Sequence, residues 1–266
     1  MDSPVLLDVS DRIATVTLNR PAARNALSSE VIGLLPGLLE KADRDDDVDV
    51  LILTGADPAF CAGLDLDELA SRDTKLAGGS STPLGGRLDA TANLHRSRGP
   101  FPKLTKPLIG AINGVAVTGG LELALNCDFL VASERAKFGD THTRVGIMPS
   151  WGLTVLLPQA VGVRRAREMS FTGNFVDAAE ALQLGLVNHV VAHERLITFT
   201  RSLASDMIGN DQLAVRHLRT TYSANAHNDD GWETEARDAR VWQRTMFSPE
   251  RVAERRAAVV DRGRSQ

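Results

Sequence analysis

Asn113-Gly114-Val115-Ala116-Val117-Thr118-Gly119-Gly120-Leu121-Glu122 is the stretch from which the fold can be read. The apolar run Leu108 to Val117 leads into it and reads as a buried strand. Two glycines follow where a helix should begin, and Glu122 falls in the first turn, where the helix dipole favours a carboxylate. Phe60-Cys61-Ala62-Gly63-Leu64-Asp65-Leu66 repeats the arrangement after the short apolar run Val50 to Leu53. In both turns glycine lets backbone amides point outward, and two such amides converging on one point form an oxyanion hole. The same glycines would equally serve tight strand-to-helix packing, and neither turn alone separates the two roles.

Working outward, Val5 to Val9 and Arg12 to Leu18 read as two short strands around Ser10-Asp11. The second places Ala14, Val16 and Leu18 on one face and Ile13, Thr15 and Thr17 on the other. Ser28 is a good N-cap, with Glu30 in the first turn behind it. Val31, Leu34, Leu35, Leu38 and Ala42 then form an apolar stripe at helical spacing, in which Pro36 should remove a hydrogen bond and kink the helix. Asp43 to Asp49 reads as a solvated helix end and turn. Phe129 to Ala132 is a further apolar run. Strands alternating with helices predict an α/β fold. Ser71 to Pro102, with Gly78-Gly79-Ser80-Ser81-Thr82-Pro83 and Gly85-Gly86, has no sustained periodicity and reads as a long mobile loop. From Phe199 onward the pattern is helical and arginine-rich. The expected division is a core over 1–198, with the loop at 71–102, and a helical appendage over 199–266.

Composition narrows the function. The chain has 266 residues, 43% of them hydrophobic, which is enough for a sizeable core. A net charge of −4 argues against a nucleic-acid binder while leaving room for an anionic small ligand held by local arginines. With only Cys61 and Cys127, a disulfide framework is not expected. Met1-Asp2-Ser3-Pro4 is unlike a secretory or transit leader, and no apolar run reaches the roughly 20 residues that span a bilayer. A cytoplasmic protein without membrane association is expected. His95, His189, His193, His217 and His227 show no metal-ligand spacing, and no metal site is expected.

Taken together, the motifs resemble the crotonase family of enoyl-CoA hydratases and isomerases. Asn19-Arg20-Pro21 and Asn25-Ala26-Leu27 resemble its opening signature; Phe60 to Leu66 and Asn113 to Glu122, continuing through Asp128, resemble its two oxyanion-loop motifs. Ala136 to Gly139, Gly146 to Pro149, Phe171-Thr172-Gly173, Glu180-Ala181 and Gly185-Leu186-Val187 follow in the family's order. The resemblance implies a spiral of ββα units with C-terminal helices that pack in trimers, often paired into hexamers. It implies an acyl-CoA thioester as substrate, no separate cofactor, and an enolate held by the backbone amides of Leu64 and Gly119. Substrate contacts are expected near Ala23, Arg24, Ala62, Leu64, Asp65, Leu66, Gly119, Gly120 and Trp151.

Hydratases of this family use two glutamates, one to activate water and one to protonate the α-carbon. Glu122 falls on the first position. The second is a departure, because His142 stands there within Asp140-Thr141-His142, and Trp151 enters where a glycine-rich stretch is usual. Histidine can act as acid or base near neutral pH, with Asp140 to orient it; it can also be structural, with Glu122 working alone. Hydration of a 2-enoyl-CoA is the leading expectation. An enoyl-CoA isomerase, an acyl-CoA hydrolase and a non-catalytic acyl-CoA binder are the alternatives. Arg24 and the tail arginines Arg251, Arg255, Arg256, Arg262 and Arg264 are candidates for the CoA phosphates, the tail arginines fitting a solvated helix face as well.

Overall fold

The computed structural model describes residues 3–70, 101–226, 229–245, 247–250, 253, 254, 256 and 260. Its first half is a series of strand–strand–helix units. They are β1 (Val5–Ser10), β2 (Ile13–Leu18) and α1 (Ser29–Arg44); β3 (Val50–Gly55), β4 (Ala59–Cys61) and α2 (Leu66–Ala70); β5 (Leu108–Ile112), β6 (Val115–Val117) and α3 (Gly119–Leu125); then β7 (Phe129–Ser133), β8 (Lys137–Gly139) and α4 (His142–Val145). After them come α5 (Leu153–Val161), α6 (Val163–Thr172), β9 (Val176–Asp177), α7 (Ala178–Gln183), β10 (His189–Val191), α8 (Leu196–Ile208), α9 (Gln212–Ala226) and α10 (Asp229–Thr245).

The second, third and fourth units each give one strand to each of two sheets. The described strands order as β1-β2-β3-β5-β7-β10 in one sheet and β4-β6-β8-β9 in the other. Each unit is therefore one turn of a spiral, and the α/β architecture with C-terminal helices is the one the resemblance implied. Leu108 to Val117, one apolar run in the sequence, is two strands: the Asn113-Gly114 turn carries the chain from the first sheet to the second. The Asn113 side chain secures that turn, accepting from Gly55 N at 3.3 Å and donating to Asp57 Oδ1 at 2.8 Å.

Side-chain alternation sets the two faces of the first sheet. Ala14, Val16, Leu18, Leu51, Leu53, Leu108 and Ile112 join the main core, whereas Ile13, Val50, Ile52, Ile109 and Ala111 face the other way. That other face is covered by α8, through Leu196 and Ala204. The expected boundary at residue 198 thus falls inside α8, a helix of the core rather than of an appendage. Further along, α9 is tied down by Arg216 to Asp49 at 3.1 Å and Arg219 to Asp128 at 2.7 Å.

Two expectations from the sequence are corrected here. On α1 the buried residues are Val31, Leu35, Leu39 and Ala42, while Leu34 is 39% exposed. Leu39, absent from the expected stripe, completes the face that meets β1, β2 and β3. Ser28 caps this helix by accepting from Val31 N at 3.3 Å, and Pro36 stands inside it without ending it. The acidic run 43–49 is not simply solvated. Asp49 is buried between Arg12 and Arg216, and Asp43 accepts from the amides of Thr105 and Lys106 at 2.9 and 2.8 Å. Of the expected loop 71–102, residues 71–100 lie outside the described residues.

Candidate active site

Strands β4, β6 and β8 are neighbours and run parallel, so their C-terminal ends share one edge of the second sheet. Ligands of α/β sheets bind beyond such ends. Three segments leave there: 62–65 after β4, 118–122 after β6 and 140–142 after β8. The topology alone thus collects both glycine turns and the Asp140-Thr141-His142 segment.

The first loop is aimed by its pairing with Leu27. Leu27 N donates to Gly63 O at 2.8 Å and Asp65 N to Leu27 O at 3.1 Å, forming an isolated parallel bridge at Leu64. In that pattern the flanking residues make the bonds, and the Leu64 amide is turned away from Leu27. Gly119 opens α3, where the first amides of a helix have no intrahelical acceptor. Among the described residues neither the Leu64 nor the Gly119 amide donates a backbone hydrogen bond. Gly63, at φ +83°, lies against Val117 and Thr118, so the two turns adjoin. The two roles left open for the glycines separate at Gly120: a β-carbon there would stand 2.2 Å from Cys61 O. Gly120 serves close packing, and Gly119 presents an amide.

Thr118 carries strain at this junction. It adopts φ 54° and ψ −120°, a region that a β-branched residue rarely enters and that costs of order 1–3 kcal/mol. Its buried hydroxyl is hydrogen-bonded to that of Thr141, one residue before His142. This link ties the second glycine turn to the histidine segment.

Glu122, Asp140 and His142 are all buried and form one chain of charge. His142 Nδ1 meets Asp140 Oδ1 at 2.6 Å, and His142 Nε2 faces Glu122 Oε2 at 3.4 Å. Burial pulls the imidazolium down, but the hydrogen bonds and charges of Asp140 and Glu122 outweigh it and push it up to about 10. Burial pushes the Asp140 carboxyl up, yet its hydrogen bond to His142 and the imidazolium charge leave it below the usual carboxylate range. The other Glu122 oxygen accepts from Ser150 N at 3.1 Å and Trp151 N at 2.7 Å. Asn126, one turn along α3, fixes that turn by donating to Trp151 O at 2.9 Å.

Trp151 is 2% exposed and joins the core. Its indole lies over Gly119 beside Leu27; a β-carbon on Gly119 would meet each at 3.2 Å. Ala23 and Arg24 lie beside Ala62, whose amide donates to Arg24 O at 3.0 Å, and Arg24 is exposed. The Asp65 carboxylate is engaged in anchoring its own loop, by Arg20 at 2.9 Å and the Asp67 and Glu68 amides at 3.2 Å. Leu66 packs with Val145 and Ile147. Asn25 of the opening motif is a buried staple, donating to Ala56 O and Ala59 O at 2.7 and 2.6 Å. Of the tail arginines, Arg256 donates to Asp67 at 2.5 Å; Arg251, Arg255, Arg262 and Arg264 lie outside the described residues.

One residue of this neighbourhood gave no sign in the sequence. Glu235, on α10, is 7% exposed and accepts from Gly152 N at 2.5 Å and Thr154 N at 2.6 Å. Its distance along the chain from the glycine motifs left it indistinguishable from a surface glutamate. Among the described residues no group of three or more His, Cys, Asp or Glu could hold a metal ion. None of the described helices is long and apolar enough to cross a membrane.

Comparison with known proteins identifies the family and the fold. The model of the enoyl-CoA hydratase/isomerase family matches residues 8–263. A probable peroxisomal enoyl-CoA hydratase 1 of Arabidopsis thaliana is 40% identical over 79% of this chain and 75% of its own length. A short-chain-enoyl-CoA hydratase of Clostridium acetobutylicum is 35% identical over 80% of this chain and 78% of its own. The crystal structure of an enoyl-CoA hydratase from Mycobacterium smegmatis superposes with a TM-score of 0.79 at 49% identity, covering 92% of this chain and all of that one.

Proposed function

Because this chain belongs to the enoyl-CoA hydratase/isomerase family, we propose that it is an enoyl-CoA hydratase, adding water across the double bond of a 2-enoyl-CoA thioester. The observation that carries the reading is the buried Glu122–His142–Asp140 chain beside the Leu64 and Gly119 turns. In this reading the thioester oxygen sits on the two amides, which favour it more as it gains charge. Glu122 takes a proton from water as the oxygen joins the β-carbon. The imidazolium of His142 gives its Nε2 proton to the α-carbon. The proton on Glu122 then passes to His142 across their contact, and both groups are restored with one water added.

Asp140 keeps His142 charged and correctly turned, so histidine serves at a position where the family's hydratases place glutamate. The reaction as written needs no cofactor beyond the CoA carried by the substrate. The exposed Arg24 and the amide-rich turn at Ala62 suit the CoA nucleotide and pantetheine. Exposed Leu213, Leu218 and Tyr222 on α9 and Val241 on α10 suit burial against other copies of the chain, as a trimer or a dimer of trimers. A cytoplasmic location completes the reading.

A second reading has its own observation. Both ring nitrogens of His142 are engaged by carboxylates, an arrangement that leaves Glu122 as a single base able to shift a double bond. Incubation with 2-enoyl and 3-enoyl-CoA thioesters, with products identified by mass spectrometry, separates the two. A product heavier by one water supports hydration; a shifted double bond without change of mass supports isomerisation. Release of free CoA, or binding without turnover, would overturn both.

A further inference from the structure

The turn that holds Glu122 is gripped from its far side by a second buried carboxylate, contributed by the C-terminal helices. Ser150 and Trp151 give their amides to Glu122, and the next donors along the chain, Gly152 N and Thr154 N, go to Glu235 at 2.5 and 2.6 Å. The Thr154 hydroxyl also bonds Glu235. Gly152, at φ +92°, lies against the Trp232 indole; a β-carbon there would stand 1.9 Å from its ring. The turn therefore has no freedom on the α10 side. Glu235 also caps α5, whose first amides would otherwise be buried without acceptors.

Two carboxylates facing each other across one short turn repel, and a buried carboxylate is kept only where donors surround it. Burial and the charge of Glu122 accordingly push Glu235 up, while the Thr154 and Gly152 hydrogen bonds pull it down. A helix cap alone could be made by a serine or asparagine within the turn itself. Here a carboxyl reaches in from another helix and takes the Gly152 and Thr154 amides, immediately after the two amides that orient the proposed base.

We propose that Glu235 is a positioning residue for Glu122, holding the 150–154 turn so that the Ser150 and Trp151 amides aim the Glu122 carboxylate at the reacting atoms. The inference rests on Glu122 being the base and holds for hydration and isomerisation alike. The α10 segment is then part of the active site through its effect on Glu122, not by touching substrate.

The test is a double-substitution cycle on the full chain with 2-enoyl-CoA as substrate, using Glu122→Gln, Glu235→Gln and both together. Glu235→Gln keeps the shape but loses one acceptor and the charge. It should lower kcat by roughly tenfold or more with KM within about twofold, because a mis-aimed base slows chemistry and leaves binding alone. In the Glu122→Gln background the same change should cost almost nothing further, the signature of two residues acting through one group. A kcat unchanged in folded Glu235→Gln, a loss confined to KM, or two losses that simply multiply would each overturn the proposal. Should Glu122→Gln itself keep full activity, the base assignment fails instead. If Glu235→Gln does not fold, Thr154→Val removes one arm of the grip and should lower kcat about two- to fivefold, again with no further effect beside Glu122→Gln. Full kcat in Thr154→Val would likewise count against it.

Discussion

Replacing Asp140 with asparagine should move the titration of His142 downward and carry the activity profile with it. Asp140→Asn keeps the side-chain size and leaves an oxygen near Nδ1, but it removes the negative charge 2.6 Å away. A hydrogen bond to a charged group is worth about 1.5–3 kcal/mol, and one pKa unit corresponds to about 1.4 kcal/mol. The midpoint of His142 should therefore fall by roughly one to two units from its present position near 10. Glu122 still faces Nε2 in the variant, so the fall should stop short of the value that burial alone would give. The stability consequence has a definite sign. With a folded value raised above 6.5, protonated His142 contributes stability that is complete below pH 6.5 and disappears as pH rises through about 10. In Asp140→Asn the loss should still begin near pH 6.5 but be complete roughly one to two units earlier, and be smaller in total. If His142 is the acid, the high-pH limb of the rate should shift down by the same amount. Nitrogen-15 NMR of the imidazole gives the midpoint directly; loss of enoyl-thioester absorbance against pH gives the limb. An imidazole that titrates near 6.5 in the parent, or a midpoint unmoved by Asp140→Asn, would refute the charge chain. A midpoint that moves while the rate profile does not would leave the chain intact and remove His142 from the proton transfers.

Three further perturbations bear on other links. Glu122→Gln should keep CoA affinity by calorimetry yet lose turnover by on the order of 10²–10⁴, since an amide cannot accept the proton; near-native turnover would remove Glu122 as the base. Gly119→Pro deletes one proposed oxyanion donor at the first position of α3, where proline is tolerated. It should cost on the order of 10²–10³ in kcat with the circular dichroism spectrum unchanged, and full activity in a folded variant would show the hole to be misplaced. On α1, Leu39→Ala should destabilise the fold by roughly 2–5 kcal/mol in urea unfolding, whereas Leu34→Ala should stay within about 0.5 kcal/mol; equal losses would contradict the observed face.

The sequence by itself determined the first three strands, the start of α1, the two glycine turns and the departure at His142. These are local matters: alternation along β2, a serine cap before α1, glycine where a helix starts against a neighbouring strand. It also carried the family, because motifs in a fixed order survive without knowledge of their contacts. What it could not supply was any fact that depends on two distant segments meeting. The run from Leu108 to Val117 is uniformly apolar whether it forms one strand or two, and only the second sheet shows the break at Asn113-Gly114. Leu34 and Leu39 both fit a helical period, and the position of the sheet beneath α1 selects Leu39. Asp49 looks solvated until Arg12 and Arg216 arrive from both ends of the chain. The electrostatic character of His142 depends on Glu122 and Asp140 converging at 3.4 and 2.6 Å, since its pKa is set by the sum of burial and neighbouring charge. Glu235 is the extreme case. A glutamate on a polar helix has no local signature of burial, and only the packing of α10 against α5 closes it over the turn that holds Glu122.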